Sequence, residues 1–205
     1  MSKVDFKKEY KVLFSPPREF VLLEVPEMQF LMVDGHGDPN VAQEYQEAVE
    51  ALYAVAYKIK FASKKQPGRD YVVPPLEGLW WAEDMGAFTT ARDKSKWDWT
   101  MMIMTPEWIS QEMYADAVEQ VRQGKHPAAL EKVRLERYNE GLSVQIMHIG
   151  SYDDEGPTLM KMHNEFLPEN GYVENGKHHE IYLGDPRKLA PEKLKTVLRQ
   201  PVRKL

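Results

Sequence analysis

The chain has 205 residues and a net charge of −5, with 42% apolar and 29% charged residues, a balance that suits a globular fold and excludes disorder and collagen-like repeats. It contains no cysteine, which removes disulfides, thiol nucleophiles, zinc fingers and iron–sulfur clusters, and its mildly acidic balance argues against direct nucleic-acid binding, which needs clustered cations. No apolar run approaches the roughly 18 residues of a transmembrane helix and residues 1–12 lack a signal-peptide core, so a soluble, cytoplasmic protein with no membrane partner is expected.

Residues 1–18 read as an arm, charged at first and ending in Ser15-Pro16-Pro17, which enforces an extended path. Residues 19–25 are rich in Val, Leu and Phe and predict a strand; after Pro26, residues 28–33 are a second strand or its continuation past a bulge. Asp34-Gly35-His36-Gly37-Asp38-Pro39 is a turn by composition. A long helix is predicted over 41–62, capped by Asp38 or Asn40. Val41, Tyr45, Ala48, Leu52, Val55 and Ile59 recur at steps of three and four, which marks one buried face. Gln66-Pro67-Gly68 stops it.

Residues 76–81 and 96–104 predict two further strands, with a loop over 82–95 between them. The stretch from Thr105 to Val121 reads as helical, as does 125–139, and together they form a helical connector. A strand over 142–149, a turn at 150–154, a helix over 155–166, a strand over 178–183 and a short helix over 191–198, opened by a first-turn Pro191, complete the chain. Strand, Gly-containing turn with Asp, helix, and strand beginning near a Glu occur twice, by pattern more than by identity. The reading is an α+β fold with a mostly antiparallel sheet: two β-α-β-β halves, at about 19–105 and 140–200, joined by the connector and related by a pseudo-twofold axis. The two long helices are expected on one side of the sheet.

Chemistry has few carriers. GxSxG, P-loop, GxGxxG and HExxH patterns are absent. His178 and His179 are neighbours on a strand, point to opposite faces and cannot chelate one metal together; neither a metal nor an organic cofactor is expected. Alternation puts His178, Glu180 and Tyr182 on one face, and His179, Ile181 and Leu183 on an apolar core face. The first face is either a solvated strand surface or the lining of a cavity, where a partly desolvated carboxylate gains value as a base or cation receptor. Glu155, at a helix start, either complements the helix dipole or overhangs the sheet beside Tyr152. Glu77 takes the position equivalent to Glu180 in the repeat, next to Trp80, and Trp97 and Trp99 share a strand face. Five Trp, ten Tyr and eleven Met serve either a rich core or an aromatic pocket for a bulky ligand.

Leu76-Glu-Gly-Leu-Trp-Trp81, Gly150-Ser-Tyr-Asp-Asp-Glu-Gly-Pro157, His179-Glu-Ile-Tyr-Leu-Gly-Asp-Pro-Arg187 and Ala190-Pro-Glu-Lys-Leu-Lys195 together resemble the GyrI-like small-molecule-binding family. Val25-Pro-Glu-Met-Gln-Phe30 and Asp34-Gly-His-Gly-Asp-Pro-Asn40 resemble its standalone branch, and the likeness runs from about residue 24 to residue 200. The resemblance implies a tandem β-α-β-β fold around a central cleft. It also implies one of several roles: an effector domain of multidrug-sensing regulators with an aromatic, acidic cleft, a protein-binding gyrase inhibitor, or a hydrolase that opens DNA-alkylating cyclopropanoid compounds. Residues 1–18 are too short for a helix-turn-helix. Carried over residue by residue, Glu155 and Glu180 are the expected catalytic pair. Trp80, Trp99, Tyr152, Tyr182 and Glu77 are the expected ligand contacts, in a cleft on the face away from the two long helices. The expected partner is a hydrophobic aromatic small molecule, and the chain is expected as a monomer or weak homodimer. A detoxifying hydrolase and a non-catalytic binding or sequestering module both fit these residues.

Overall fold

The computed structural model describes residues 3–83 and 93–205; most of the loop expected over 82–95 lies outside the described residues. Two short helices open the chain, α1 (Phe6–Glu9) and α2 (Lys11–Phe14). They replace most of the expected extended arm, because Phe6, Leu13 and Phe14 are apolar enough to bury in the core. Strands β1 (Val21–Val25) and β2 (Met28–His36) follow, separated at Pro26. The long helix α3 (Gln43–Lys65) begins two residues later than the pattern predicts. Asp38 does not cap it; its carboxylate accepts the backbone N–H of Asn40 in the preceding turn. Ala48, Ala51 and Ala56 on its buried face let the helix lie close to the sheet.

Next come β3 (Leu76–Trp81) and β4 (Asp98–Thr105). The region expected as helix from residue 105 becomes α4 (Gln111–Arg122), capped by the Ser110 hydroxyl accepting Met113 N–H. Residues 125–139 are not helical. They form a 3₁₀ turn and then β5 (Arg134–Tyr138), which pairs with β2. Charged residues spaced around Leu135 mimic a helix, but as an edge strand they turn outward while Leu135 is buried. Strand β6 (Gly141–Ile149) leads to a 3₁₀ turn at Tyr152–Glu155, then α5 (Gly156–Lys161), a π-turn at Met162–Phe166 and α6 (Leu167–Glu169). Strands β7 (Tyr172–Glu174), β8 (His178–Tyr182) and β9 (Lys195–Lys204) end the chain. β7 leaves no clear mark in the sequence. The helix expected over 191–198 is a 3₁₀ turn at Pro191–Lys193 followed by β9, which is buried from Thr196 to Val202, polar Arg199 and Gln200 included, and lies between β6 and β8. Pro201 is tolerated there because β8 pairing stops at Arg199.

All pairings among the described strands are antiparallel, in the order β1-β6-β9-β8-β3-β4-β2-β5, with β7 on the far end of β9. The order is palindromic about the β8–β3 junction, as a twofold axis between those strands produces: β2-α3-β3-β4 is one half and β6-α5-β8-β9 the other. The lead strands are exchanged. β1 precedes β2 in the chain but pairs with β6, and β5 precedes β6 but pairs with β2. Among the described residues no helix is long and apolar enough to cross a membrane.

Candidate ligand-binding and active site

Register decides which side chains share a face. Trp80 pairs with both Trp99 and His178, and Gly78 pairs with Glu180, so Trp80, Trp99, His178, Glu180 and Tyr182 project from one face. Tyr45 of α3 packs on that face, stacked on Trp80 (centroids 6.3 Å) and edge-on to Trp99 (5.4 Å). From the other half, Tyr152 meets Tyr182 edge-to-face at 5.5 Å. The aromatic cluster therefore lies on the same side as α3, between it and the 152–161 segment, and not on the expected opposite face. α3 stands over β2 and β4, to one side of the central β3–β8 strip.

Two glycines make the cluster possible. A Cβ at Gly35 would meet the Trp99 ring at 2.0 Å, and a Cβ at Gly78 would meet Trp80 Nε1 at 2.7 Å. Trp99 lies down over Gly35 and donates Nε1–H to Gly37 O (3.2 Å); fully buried, it supports Tyr45 from beneath. Trp80 lies over Gly78 and reaches Tyr182, so that Trp80 Nε1–H donates to the Tyr182 hydroxyl (2.9 Å), which donates to Glu180 Oε2 (2.8 Å). The second oxygen, Glu180 Oε1, is 3.5 Å from His178 Nε2.

Electrostatics keeps the phenols protonated. Burial, and then the Glu180 charge, pushes Tyr182 well above its usual value, and the same two causes raise Tyr45. Burial followed by the carboxylates of Glu155 and Glu180 pushes Tyr152 up to about 12. Both glutamates thus act on one phenol. Glu155, Glu180 and Trp80 are buried, whereas Tyr45, Tyr152 and Tyr182 are partly exposed. Neutral hydroxyl donors, buried carboxylate acceptors and broad aromatic surfaces suit a flat or cationic ligand, and the carboxylates can accept a proton. Among the described residues no group of three or more His, Asp or Glu side chains is arranged to hold a metal ion.

Glu77 is not part of this site. It pairs with Ile181, on the opposite face from Glu180, because repeat-equivalent residues across a twofold normal to the sheet must share a face and Glu77 is one residue out of step. Its Oε2 instead meets His179 Nε2 at 2.9 Å. The face expected as plain apolar core carries an ionic cluster. Glu140 takes His179 Nδ1 (3.0 Å) and Arg199 Nη1–H (3.1 Å), and Arg199 also donates to Gln145 and to the Leu13 carbonyl. Tyr45 and Gly78 are the neighbours that sequence reasoning missed. The helical period marks Tyr45 only as buried, and nothing local shows that its ring ends on Trp80.

The profile of the GyrI-like small molecule binding domain matches residues 18–203. Among solved structures, an uncharacterized conserved protein from Listeria innocua is 44% identical with a TM-score of 0.90, covering 98% of this chain and 100% of its own. A Listeria innocua protein described as a hydrolase is 43% identical with a TM-score of 0.88 over the same shares of both chains. The C-terminal domain of EcmrR, at 13% identity and a TM-score of 0.57 over 91% of this chain and 98% of its own, shares the fold. No curated protein matches the chain. A profile match over nearly the whole palindromic sheet, including both segments that build the aromatic cluster, makes this chain a member of the GyrI-like small-molecule-binding family.

Proposed function

We propose that this protein takes a bulky, flat aromatic small molecule against Tyr45, Tyr152 and Tyr182 and hydrolyses a strained ring in it, a cyclopropanoid compound being the substrate class, as a detoxifying enzyme. The observation that carries this reading is the Trp80–Tyr182–Glu180 hydrogen-bond chain, which aims a buried carboxylate into an aromatic lining. The likeness to the Listeria hydrolase supports it. In the proposed step Glu180 takes a proton from water and the water oxygen bonds to a ring carbon. The breaking C–C bond passes its electrons to a conjugated carbonyl, and a neutral phenol, Tyr152, donates a hydrogen bond to that oxygen as it gains charge. Burial, with the Glu155 carboxylate adding to it, holds Tyr152 in its neutral form. No covalent nucleophile is required.

The test is turnover and binding of a cyclopropanoid alkylating unit by the parent, Glu180→Gln and Glu155→Gln. Glu→Gln keeps the shape and removes the charge. Loss of the base lowers kcat on the order of 10²–10⁴-fold, with the fold intact by circular dichroism. Unchanged turnover in a variant removes that residue from the mechanism. Tight binding without turnover in the parent leaves the sequestering module as the function.

A further inference from the structure

Beside Glu180 lies a second group of ionisable side chains that the proposed reaction does not use. His178 is fully buried on the same face, with Nε2 3.5 Å from Glu180 Oε1. Above it the helix of the second half widens into the π-turn Met162–Phe166, an irregularity frequent at functional sites. That turn carries His163, whose side chain is 5% exposed and whose ring centroid is 6.4 Å from that of His178. His163 Nδ1 holds Glu174 Oε1 at 2.6 Å, and the Glu174 side chain, 36% exposed, reaches solvent.

Among the described residues, the buried atoms His163 Nε2 and Gln200 Oε1 have no hydrogen-bond partner. Gln200 is two residues from Leu198, the β9 partner of Glu180, and so shares this face just past the last β8–β9 pair. A fully dry interior would leave both atoms with an uncompensated desolvation cost. Buried water of the ordinary kind, which uses two to four such partners, removes it. Burial lowers the His178 pKa, against the raising effect of Glu180, so the ring is neutral at rest and able to accept a proton. Among the described residues, the groups facing the imidazole pair include Glu180 and the neutral Tyr182 on β8, Glu174 on β7, Trp80 on β3, and Gln200 on β9.

We infer that Glu180, His178, His163 and Glu174 form a proton conduit from the candidate site to the surface, completed by internal water between the two imidazoles. The inference rests on the proposed role of Glu180 as base. A proton taken from water by Glu180 passes to His178 Nε2; a proton leaves its other nitrogen through the bridging water to His163 Nε2; His163 Nδ1 gives one up to Glu174 and so to solvent. Each imidazole gains and loses one proton, Glu180 returns to its anion, and solvent returns one proton to the ring-opened oxygen. His178, His163 and Glu174 are positioning residues that act through Glu180.

The experiment has two arms. In the first, with no ligand, imidazole ¹⁵N signals are followed against pH in the parent, Glu180→Gln and Glu174→Gln. In a conduit, Glu180→Gln moves the His163 signals and Glu174→Gln moves those of His178, each across the imidazole gap. Signals that respond only in the ring next to the substitution overturn the proposal. In the second, the pH profile of cyclopropanoid turnover is measured for His163→Gln, with His163→Ala and added imidazole as control. The expected result is a kcat loss of up to about 10²-fold, the low end for positioned proton transfer, with KM unchanged and recovery of the alanine variant by imidazole. An unaltered kcat profile, or a loss confined to KM, overturns it. A parent that turns nothing over defeats the hydrolase reading, while the ¹⁵N arm still decides the conduit.

Discussion

At Gly78 a single methyl group would meet Trp80 Nε1 at 2.7 Å and the Met101 sulfur at 3.2 Å, so Gly78→Ala must lift the indole off Tyr182. The expected outcome is a change in tryptophan fluorescence and weakened aromatic-ligand binding, with a stability loss of about 1–3 kcal/mol typical of overpacking, read by urea denaturation. Unchanged ligand binding in a folded Gly78→Ala would show that the Trp80–Tyr182 contact is dispensable. On the other face His179 is the residue to titrate. Burial alone lowers its pKa, but Glu140 and Glu77 overcome this and raise it from 6.5 to about 9. Burial likewise opposes the charge on Glu140, yet His179 and Arg199 bring it down from 4.5 to about 2. A raised folded pKa stabilises below the unfolded value and loses its effect as pH climbs through the folded one; a depressed one does the reverse. The cluster is therefore fully stabilising between pH 4.5 and 6.5, and weakens as pH rises towards 9 or falls towards 2. The alkaline decline is on the order of 3 kcal/mol, and His179→Gln should remove it from a plot of unfolding free energy against pH.

Among the elements, the two short N-terminal helices are anchored deep in the core. The Val12 and Leu13 carbonyls accept hydrogen bonds from the buried Gln145 and Arg199, and Phe6, Leu13 and Phe14 fill core space. Removing residues 3–14 exposes three large apolar side chains' worth of surface, about 1.5–3 kcal/mol each, and strands part of the Arg199 guanidinium. Against a usual total of about 5–15 kcal/mol, the truncated chain should melt far lower or fail to fold, as differential scanning calorimetry would show. How far elements are legible in a sequence depends on whether their partners are local. β8 alternates cleanly, and its outward face led to Glu180 and Tyr182. Glu77 misled because a repeat aligned by residue type ignores the parity of a strand, and one step reverses the face. β5 and the start of β9 carry local helix signals, dense charge around Leu135 and a first-turn Pro191, whereas their strand character comes from β2, β6 and β8, distant in sequence. The side on which the aromatic cluster forms is hidden in the sequence for a similar reason: Tyr45 reaches Trp80 only through the packing of α3 on the sheet.

For the whole molecule, the exchanged lead strands carry a consequence for how the chain comes apart. Each half lacks its own border and borrows it: the sheet edge beside β6 is β1, from the first half of the chain, and the edge beside β2 is β5, which leads into the second. A chain cut in the loop near Gly124, between α4 and β5, yields one piece whose β1 has lost β6 and another whose β5 has lost β2. Neither piece alone can close its edges, so each should be largely unstructured and prone to aggregate through open strands. Mixed together they should reassemble, and the intact chain should unfold in a single step with coincident fluorescence and circular dichroism transitions. Independent melting of the two fragments would contradict this. The swap makes the two β-α-β-β copies mutual hostages: after the duplication that such a repeat suggests, neither copy could drift, be lost or be shuffled into another protein without unzipping the border of its twin.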